Sequence, residues 1–176
     1  MTAMNYLIIS LAIGFTEQLF FESTTCGVIE TAKEDFRCFF KQISFTKDLL
    51  LLDLTDSVDI EKFKTSCDTL KACYSSLECR KNDPQYVELS RNTNTICSAI
   101  LFLGTDFVDC KKKIDEVKGD CDTVGNTCDT VFGKDQCLKP LIVDSCGEEK
   151  WFRFRENIIN LKKPSLPDCD FDQYRN

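Results

Sequence analysis

Residues 67–79 read CDTLKACYSSLEC and carry three cysteines spaced six residues apart. On a regular helix, side chains six residues apart diverge by about 120°, so these three thiols point to different sides and cannot bond one another. A single neighbouring element therefore cannot receive all three. The spacing predicts that this helix is the hub of the domain, with Cys67, Cys73 and Cys79 bonded to three different segments.

The whole chain has twelve cysteines and no histidine among its 176 residues. An even number of cysteines, spread through the sequence after an apolar leader, is typical of a secreted disulfide framework. We predict that all twelve are structural half-cystines: Cys26, Cys38, Cys67, Cys73, Cys79, Cys97, Cys110, Cys121, Cys128, Cys137, Cys146 and Cys169. Their pairing stays open, since twelve cysteines allow about ten thousand connectivities. Without histidine or a Cys-x-x-Cys motif, no metal site is expected.

The first 16 residues carry no charged side chain, and residues 6–15 form the apolar run YLIISLAIGF. This length is typical of the apolar part of a signal peptide and falls short of the roughly 20 residues that span a bilayer. We predict a signal peptide over residues 1–20, with cleavage between residues 14 and 25, followed by a single cysteine-rich helical domain over residues 21–176. The mature protein would be secreted, extracellular and without a membrane span. The alternative, a buried N-terminal helix in a cytosolic protein, leaves twelve reduced thiols to explain.

The charge balance is acidic, with 22 basic and 29 acidic residues and a net charge of −7. Such a surface disfavours nucleic acid and anionic membranes as partners. Two local basic groups, at residues 111–113 and at Arg153 with Arg155, are flanked by acids. We interpret both as solvated helix faces rather than phosphate sites.

Apolar residues recur at helical intervals, whereas alternating strand patterns and glycines are few. The sequence predicts an all-α, disulfide-rich helical bundle with short C-terminal helices. The predicted helices cover residues 27–54, a segment from Ser57 or Asp59 to about residue 82, residues 86–117 with a break near residues 92–94 or Gly104, and residues 135–146 and 148–161. Residues 119–133 are predicted to be a loop pinned by cysteines.

Two apolar stripes are expected to pack into the core. In the first helix, the residues that recur at spacings of three, four and seven are Ile29, Ala32, Phe36, Phe39 or Phe40, Ile43, Leu50 and Leu54, and the run LLLL at residues 49–52 suggests cover on more than one side. In the last helix the only tryptophan, Trp151, is expected to be buried and to hold that helix against the domain.

Catalysis loses most of its usual groups when histidine is absent, because serine and cysteine nucleophiles lack their common general base. Paired acids such as Glu148 and Glu149 remain, but acids at a helix start normally complement the macrodipole. We therefore expect no enzyme activity, no catalytic or cofactor-binding residue and no cofactor.

The C-terminal third resembles a known family. The residues that carry the likeness are Cys121-Asp122, Cys128, Phe132-Gly133-Lys134-Asp135 leading to Cys137-Leu138, Cys146-Gly147-Glu148-Glu149, Trp151, Phe154-Arg155-Glu156 and Cys169. This pattern is similar to the nematode domain of unknown function nineteen, a family of secreted, cysteine-rich proteins. The resemblance implies an extracellular helical domain and no established activity.

Two functions follow as hypotheses. The first is a non-enzymatic, secreted interaction module that binds an extracellular protein or glycan. The second is an extracellular carrier of a lipid or another small hydrophobic ligand, suggested by the chain's 14 phenylalanines. Phenylalanines at helical spacing are ordinarily core packing, which favours the first hypothesis.

Overall fold

The computed structural model describes residues 26–117, 121 and 124–175. Six α-helices lie in these ranges: α1 (Val28–Leu50), α2 (Ser57–Ser75), α3 (Pro84–Gly104), α4 (Val108–Val117), α5 (Leu138–Cys146) and α6 (Glu148–Lys162). Three short 3-10 helices cover Cys128–Thr130, Lys134–Gln136 and Phe171–Tyr174. The described ranges contain no strand, and the prediction of an all-α, disulfide-rich bundle is confirmed. The predicted signal peptide, residues 1–20 with cleavage between 14 and 25, lies outside the described residues.

The chain forms two compact units, Met1–Cys97 and Ser98–Asn176. The boundary falls inside α3, so this helix contributes its first two thirds to one unit and its last third to the other. The predicted break at Gly104 is confirmed, because α3 ends there and α4 begins four residues later. The assignment of residues 21–176 to a single domain stays a prediction.

All twelve cysteines are paired, and the pairs divide evenly between the units. The first unit contains Cys26–Cys79, Cys38–Cys73 and Cys67–Cys97, and the second contains Cys110–Cys146, Cys121–Cys137 and Cys128–Cys169. Their Cα–Cα distances lie between 5.3 and 5.9 Å, as disulfide geometry requires. Each unit therefore has a complete disulfide framework of its own.

The hub prediction is wrong for Cys79. Helix α2 ends at Ser75, four residues before that cysteine. The hydroxyls of Ser75 and Ser76 donate to the carbonyls of Ala72 and Cys73, at 3.0 and 2.7 Å. Side-chain bonds of this kind compete with the helical ladder and favour its end.

The three bonds also reach fewer elements than expected. Cys67 bonds to Cys97 in α3, and Cys73 bonds to Cys38 in α1. The third bond joins Cys79 to Cys26, two residues before α1 begins. Helix α2 and the turn after it are thus tied to α1, to the residue just before the N-cap of α1, and to α3.

The apolar stripe of α2 packs as its periodicity predicts. Its buried residues are Ile60, Phe63, Cys67, Leu70, Cys73 and Tyr74. The helix begins at Ser57, as predicted, but the N-cap is the preceding Asp56, whose carboxylate accepts a hydrogen bond from the Val58 amide at 2.8 Å.

The second unit packs around aromatic rings of α6. Trp151 is buried, as predicted, and the ring centroid of Phe132 lies 5.1 Å from that of Trp151 and 5.1 Å from that of Tyr174. The prediction that Arg155 is solvated is wrong. Its side chain is buried because it lies one turn after Trp151 on the same face, and its guanidinium donates to the carbonyl of Tyr174 at 3.1 Å.

Candidate functional site

Helix α1 has two apolar faces on opposite sides. Its inner face carries the buried residues Cys38, Phe45 and Leu49. We define its outer face by five exposed residues: Ile29, Phe36, Phe40, Ile43 and Leu50. At 100° per residue, Cys38 points about 160° away from Phe36, so a neighbour that packs on one face leaves the other uncovered.

The inner face is held against α2 by one covalent and one aromatic contact. Cys38 is bonded to Cys73 of α2, and the rings of Phe45 and Phe63 lie 5.5 Å apart between centroids. Phe45 and Phe63 are each almost completely buried. Together these contacts decide which face of α1 is covered.

Buried charges fix the same orientation near the start of the helix. The guanidinium of Arg80 donates to both carboxylate oxygens of Asp35, at 3.1 Å from Nε and 2.6 Å from Nη2. It also donates to Asp83 at 2.8 Å, and the Tyr86 hydroxyl donates to Asp35 at 2.7 Å. The bond to Asp35 raises the pKa of Arg80, and burial, followed by the Asp35 carboxylate, raises the pKa of the Tyr86 hydroxyl. The cluster is an ionic support for α1.

Two further polar contacts join α1 to the turn after α2. The carboxylate of Glu34 accepts hydrogen bonds from the amides of Glu78 and Cys79, at 3.1 and 3.0 Å. On the next turn, the guanidinium of Arg37 donates to the Ser76 carbonyl at 3.2 Å. With the Cys26–Cys79 bond, these contacts hold α1 in place about its own axis.

The outer face is a continuous stripe along the exposed side of α1. Ile29, Phe36, Ile43 and Leu50 repeat every seven residues, and Phe40 lies one turn beyond Phe36. Ile29 is 72% exposed, Phe36 and Phe40 are each 65% exposed, and Ile43 and Leu50 about half. A strict repeat of seven drifts by only about 20° per heptad, so these residues stay aligned over the helix length of about 34 Å.

This stripe is the one that the sequence predicts to be core, and that prediction is wrong. The buried residues of α1 are the apolar Cys38, Phe45 and Leu49 together with the polar Thr31 and Gln42. The Cys38 disulfide imposes this choice, because it brings the less apolar face to α2. The result is an apolar face without a partner among the described residues.

The leucine run at the end of α1 divides between the two faces. Leu49 and Leu52 are buried, whereas Leu50 and Leu51 are exposed. The expectation that this end is covered on more than one side is therefore wrong, because only two of the four leucines face the core. Leu50 and Leu51 extend the exposed apolar surface past the end of the helix.

The outer face contains no carboxylate. Within about 60° of Phe36 the only charged side chains are those of Lys33 and Lys47, and both are exposed. Ala32 lies in the same sector, is exposed and leaves a shallow place in the stripe. The outer face therefore carries no acidic side chain, although the whole chain has a net charge of −7.

The buried lysine and two members of the basic groups have structural partners. The ammonium of Lys162 is buried, donates to the Asn126 side chain at 2.6 Å, and has its pKa lowered by burial. Lys111 and Arg153, from the two basic groups, pair with Asp115 and Asp106. No group of three or more cysteine or acidic side chains in the described part of the chain is placed to hold a metal ion. None of its helices combines the length and apolarity needed to cross a bilayer.

The disulfide framework coincides with the extent of a known family. A family model described as "Domain of unknown function (DUF19)" matches residues 26–170. The chain belongs to the DUF19 family. The matched range begins at the first cysteine and ends one residue beyond the last, so it contains the complete disulfide framework of this DUF19 chain. The resemblance carried by the C-terminal cysteine pattern is confirmed.

The DUF19 chain is similar to three proteins of Caenorhabditis elegans. It is 30% identical over 159 residues to the protein named "Excretory canal abnormal exc-13", a match that covers 78% of each chain. Two UPF0376 proteins match at 29% and 26% identity, over 86% and 76% of this chain and 80% and 77% of their own length. No solved structure matches the chain.

Proposed function

We propose that the chain is a secreted, non-enzymatic interaction module that binds protein through the outer face of α1. The observation that carries this proposal is the exposure of five large apolar side chains in one line. Isolated apolar residues are common on protein surfaces, but a contiguous patch marks an interaction surface. An apolar stripe without carboxylates favours a protein partner over a glycan, which needs hydrogen-bonding groups.

Secretion is supported by the pairing of all twelve cysteines. Disulfides persist in oxidising compartments and are rare in the cytosol. The absence of histidine from the chain supports a non-enzymatic role. When the chain is expressed with its own leader, we expect it in the medium with a new N-terminus between residues 14 and 25; intracellular retention with an intact leader contradicts the proposal.

A rigid scaffold makes the outer face effective. The Cys38–Cys73 disulfide, the Asp35–Arg80 ion pair and the Phe45–Phe63 contact fix α1 before any partner arrives. A partner therefore does not have to order the helix, and preorganisation of this kind lowers the entropic cost of binding.

The alternative, a carrier of a lipid or another hydrophobic ligand, rests on the number of phenylalanines. Most of those in the described ranges are buried, and several pack ring against ring, such as Phe107 on Phe154 at 4.8 Å between centroids. Such packing accounts for these residues without a ligand and supports the interaction module. Native mass spectrometry of the secreted protein separates the two, because a carrier retains a small-molecule adduct.

Photo-crosslinking tests the proposed face directly. A benzophenone amino acid replaces Phe36 in one variant and Phe152, an exposed phenylalanine of α6, in the control. Both are expressed in secreting cells and irradiated in the medium. We expect a protein adduct from position 36 and none from position 152. Absence of an adduct at position 36, or equal adducts at both positions, rejects the outer face as a protein-binding surface.

A further inference from the structure

The exposed area of the outer face is close to what one partner contributes to a standard protein–protein interface. Its five residues and the adjacent Leu51 are each about half to three quarters exposed. Together they present roughly 700 Å² of apolar surface, above the 300–600 Å² of the largest patch on a typical monomer. A standard interface buries about 800 Å² on each partner, so this surface alone nearly suffices for one stable contact.

The large residues of the outer face are arranged symmetrically along α1. About a point between Phe39 and Phe40, Ile29 mirrors Leu50, Phe36 mirrors Ile43, and Phe40 mirrors Phe39 beside the centre. Two antiparallel helices related by a two-fold axis bring mirrored positions together, so a residue contacts its mirror position in the other copy. The face is therefore complementary to itself.

The charges fit the same pairing. In an antiparallel pair centred between Phe39 and Phe40, Lys47 lies opposite Ala32 of the other copy, where the small side chain leaves room for the lysine stem. Two copies of this acidic chain repel each other at long range. No carboxylate lies in the stripe, so no acidic side chains face each other at the contact itself.

We infer that the partner of the outer face is a second copy of this chain, bound with its α1 antiparallel to the first. The inference rests on the proposed function, because it names the protein that the outer face binds. Phe36 of each copy packs against Ile43 of the other, Ile29 packs against Leu50, and Phe40 lies beside the two-fold axis, next to Phe39 of the other copy. An antiparallel pair also places each helix N-terminus beside the other's C-terminus, which is favourable for the macrodipoles.

Charge substitution tests both the partner and its orientation. Phe36→Lys and Ile43→Glu each place a charge against an apolar residue of the other copy, so each variant should weaken self-association by roughly a hundredfold. In the double variant, the lysine introduced at position 36 faces the glutamate introduced at position 43 of the other copy, and association should return. Phe152→Lys, on α6, is the control and should leave association unchanged.

Sedimentation velocity of the secreted protein over a range of concentrations gives the mass. We expect a dimer for the natural chain, the control and the double variant, and a monomer for each single variant, with the circular dichroism of all variants unchanged. A natural chain that stays monomeric, or a double variant that stays monomeric while the natural chain dimerises, overturns the inference. A monomeric chain whose crosslinker at position 36 captures a different protein retains the proposed function and rejects only the second copy.

Discussion

Arg80 binds Asp35 with two parallel hydrogen bonds, and this fork joins the turn after α2 to the first half of α1. Both side chains are largely buried, with Arg80 at 5% exposure and Asp35 at 23%. Bidentate pairs of this kind fix geometry as well as charge, because the guanidinium plane must align with the carboxylate. The fork thus helps to decide which face of α1 remains outside.

We expect Asp35→Asn to lower the free energy of unfolding by about 3 kcal/mol, because Arg80 would lose its bidentate carboxylate partner in a buried site. Urea unfolding of the purified protein measures the change. Glu88→Gln breaks the exposed pair with Arg91 and serves as the control, with an expected loss below about 1 kcal/mol. Equal losses in the two variants would show that the Asp35–Arg80 pair has no special role.

Trp151→Ala should cost roughly 3 to 5 kcal/mol, because the indole is buried between Phe132 and Phe154 and its removal leaves a cavity. Phe152→Ala is a matched control on the next residue, which is exposed and contacts the Arg155 guanidinium, and should cost about 1 kcal/mol or less. The natural protein should show blue-shifted tryptophan emission that shifts to the red on unfolding. Red-shifted emission in the folded protein contradicts burial.

The division of the disulfides predicts a cleavage result. A protease site inserted after Gly104, in the turn between α3 and α4, is cut in the folded protein, which is then denatured without reductant. We expect two fragments that separate on a non-reducing gel, because three bonds lie on each side. Fragments that stay joined until a reductant is added would show that a bond crosses the turn. Alkylation of the uncut, denatured protein should label no thiol.

Alkaline pH should destabilise the protein through two tyrosines of the first unit. Burial raises the pKa of Tyr74 and of Tyr86, whereas both ionise near pH 10 in the unfolded chain. Above that pH the folded state holds protons that the unfolded state has released, so this contribution is complete below about pH 10 and is lost progressively as pH rises through the raised pKa values. Urea unfolding between about pH 9 and pH 12 measures the decline.

The tyrosine interpretation has its own control. Tyr86→Phe removes one of the two groups and should flatten the decline, although its loss of the hydrogen bond to Asp35 lowers stability at all pH values. Tyrosinate absorbance should rise later in the folded protein than in urea. Coincident titration curves in the two states would show that the hydroxyls are accessible.

Apolar periodicity predicted the helices and several packed faces because most stripes have only one apolar side. The stripe of α2, from Ile60 to Tyr74, and the burial of Trp151 in α6 both follow from spacing alone. The same reasoning does not predict which face of α1 is buried, because this helix has two candidate apolar faces. The more apolar one contains Phe36, but the disulfide at Cys38 selects the other, and a pairing cannot be inferred from spacing.

Long-range polar contacts were equally beyond prediction. Arg80 and Asp35 are 45 residues apart, and neither has a local signal that marks it as buried. Helix α2 ends before Cys79 because the hydroxyls of two serines donate to backbone carbonyls. This local preference is weak, and the regular spacing of the cysteines favoured a longer helix. The burial of Arg155 follows from a carbonyl acceptor supplied by Tyr174, at the far end of the chain.

The even division of the disulfides also bears on synthesis. Six cysteines allow 15 pairings, whereas twelve allow about ten thousand. The N-terminal residues are synthesised first, and all six cysteines of the first unit precede Cys110 in the chain. The order of the sequence therefore allows two small sets of pairings to be completed in succession rather than one very large set.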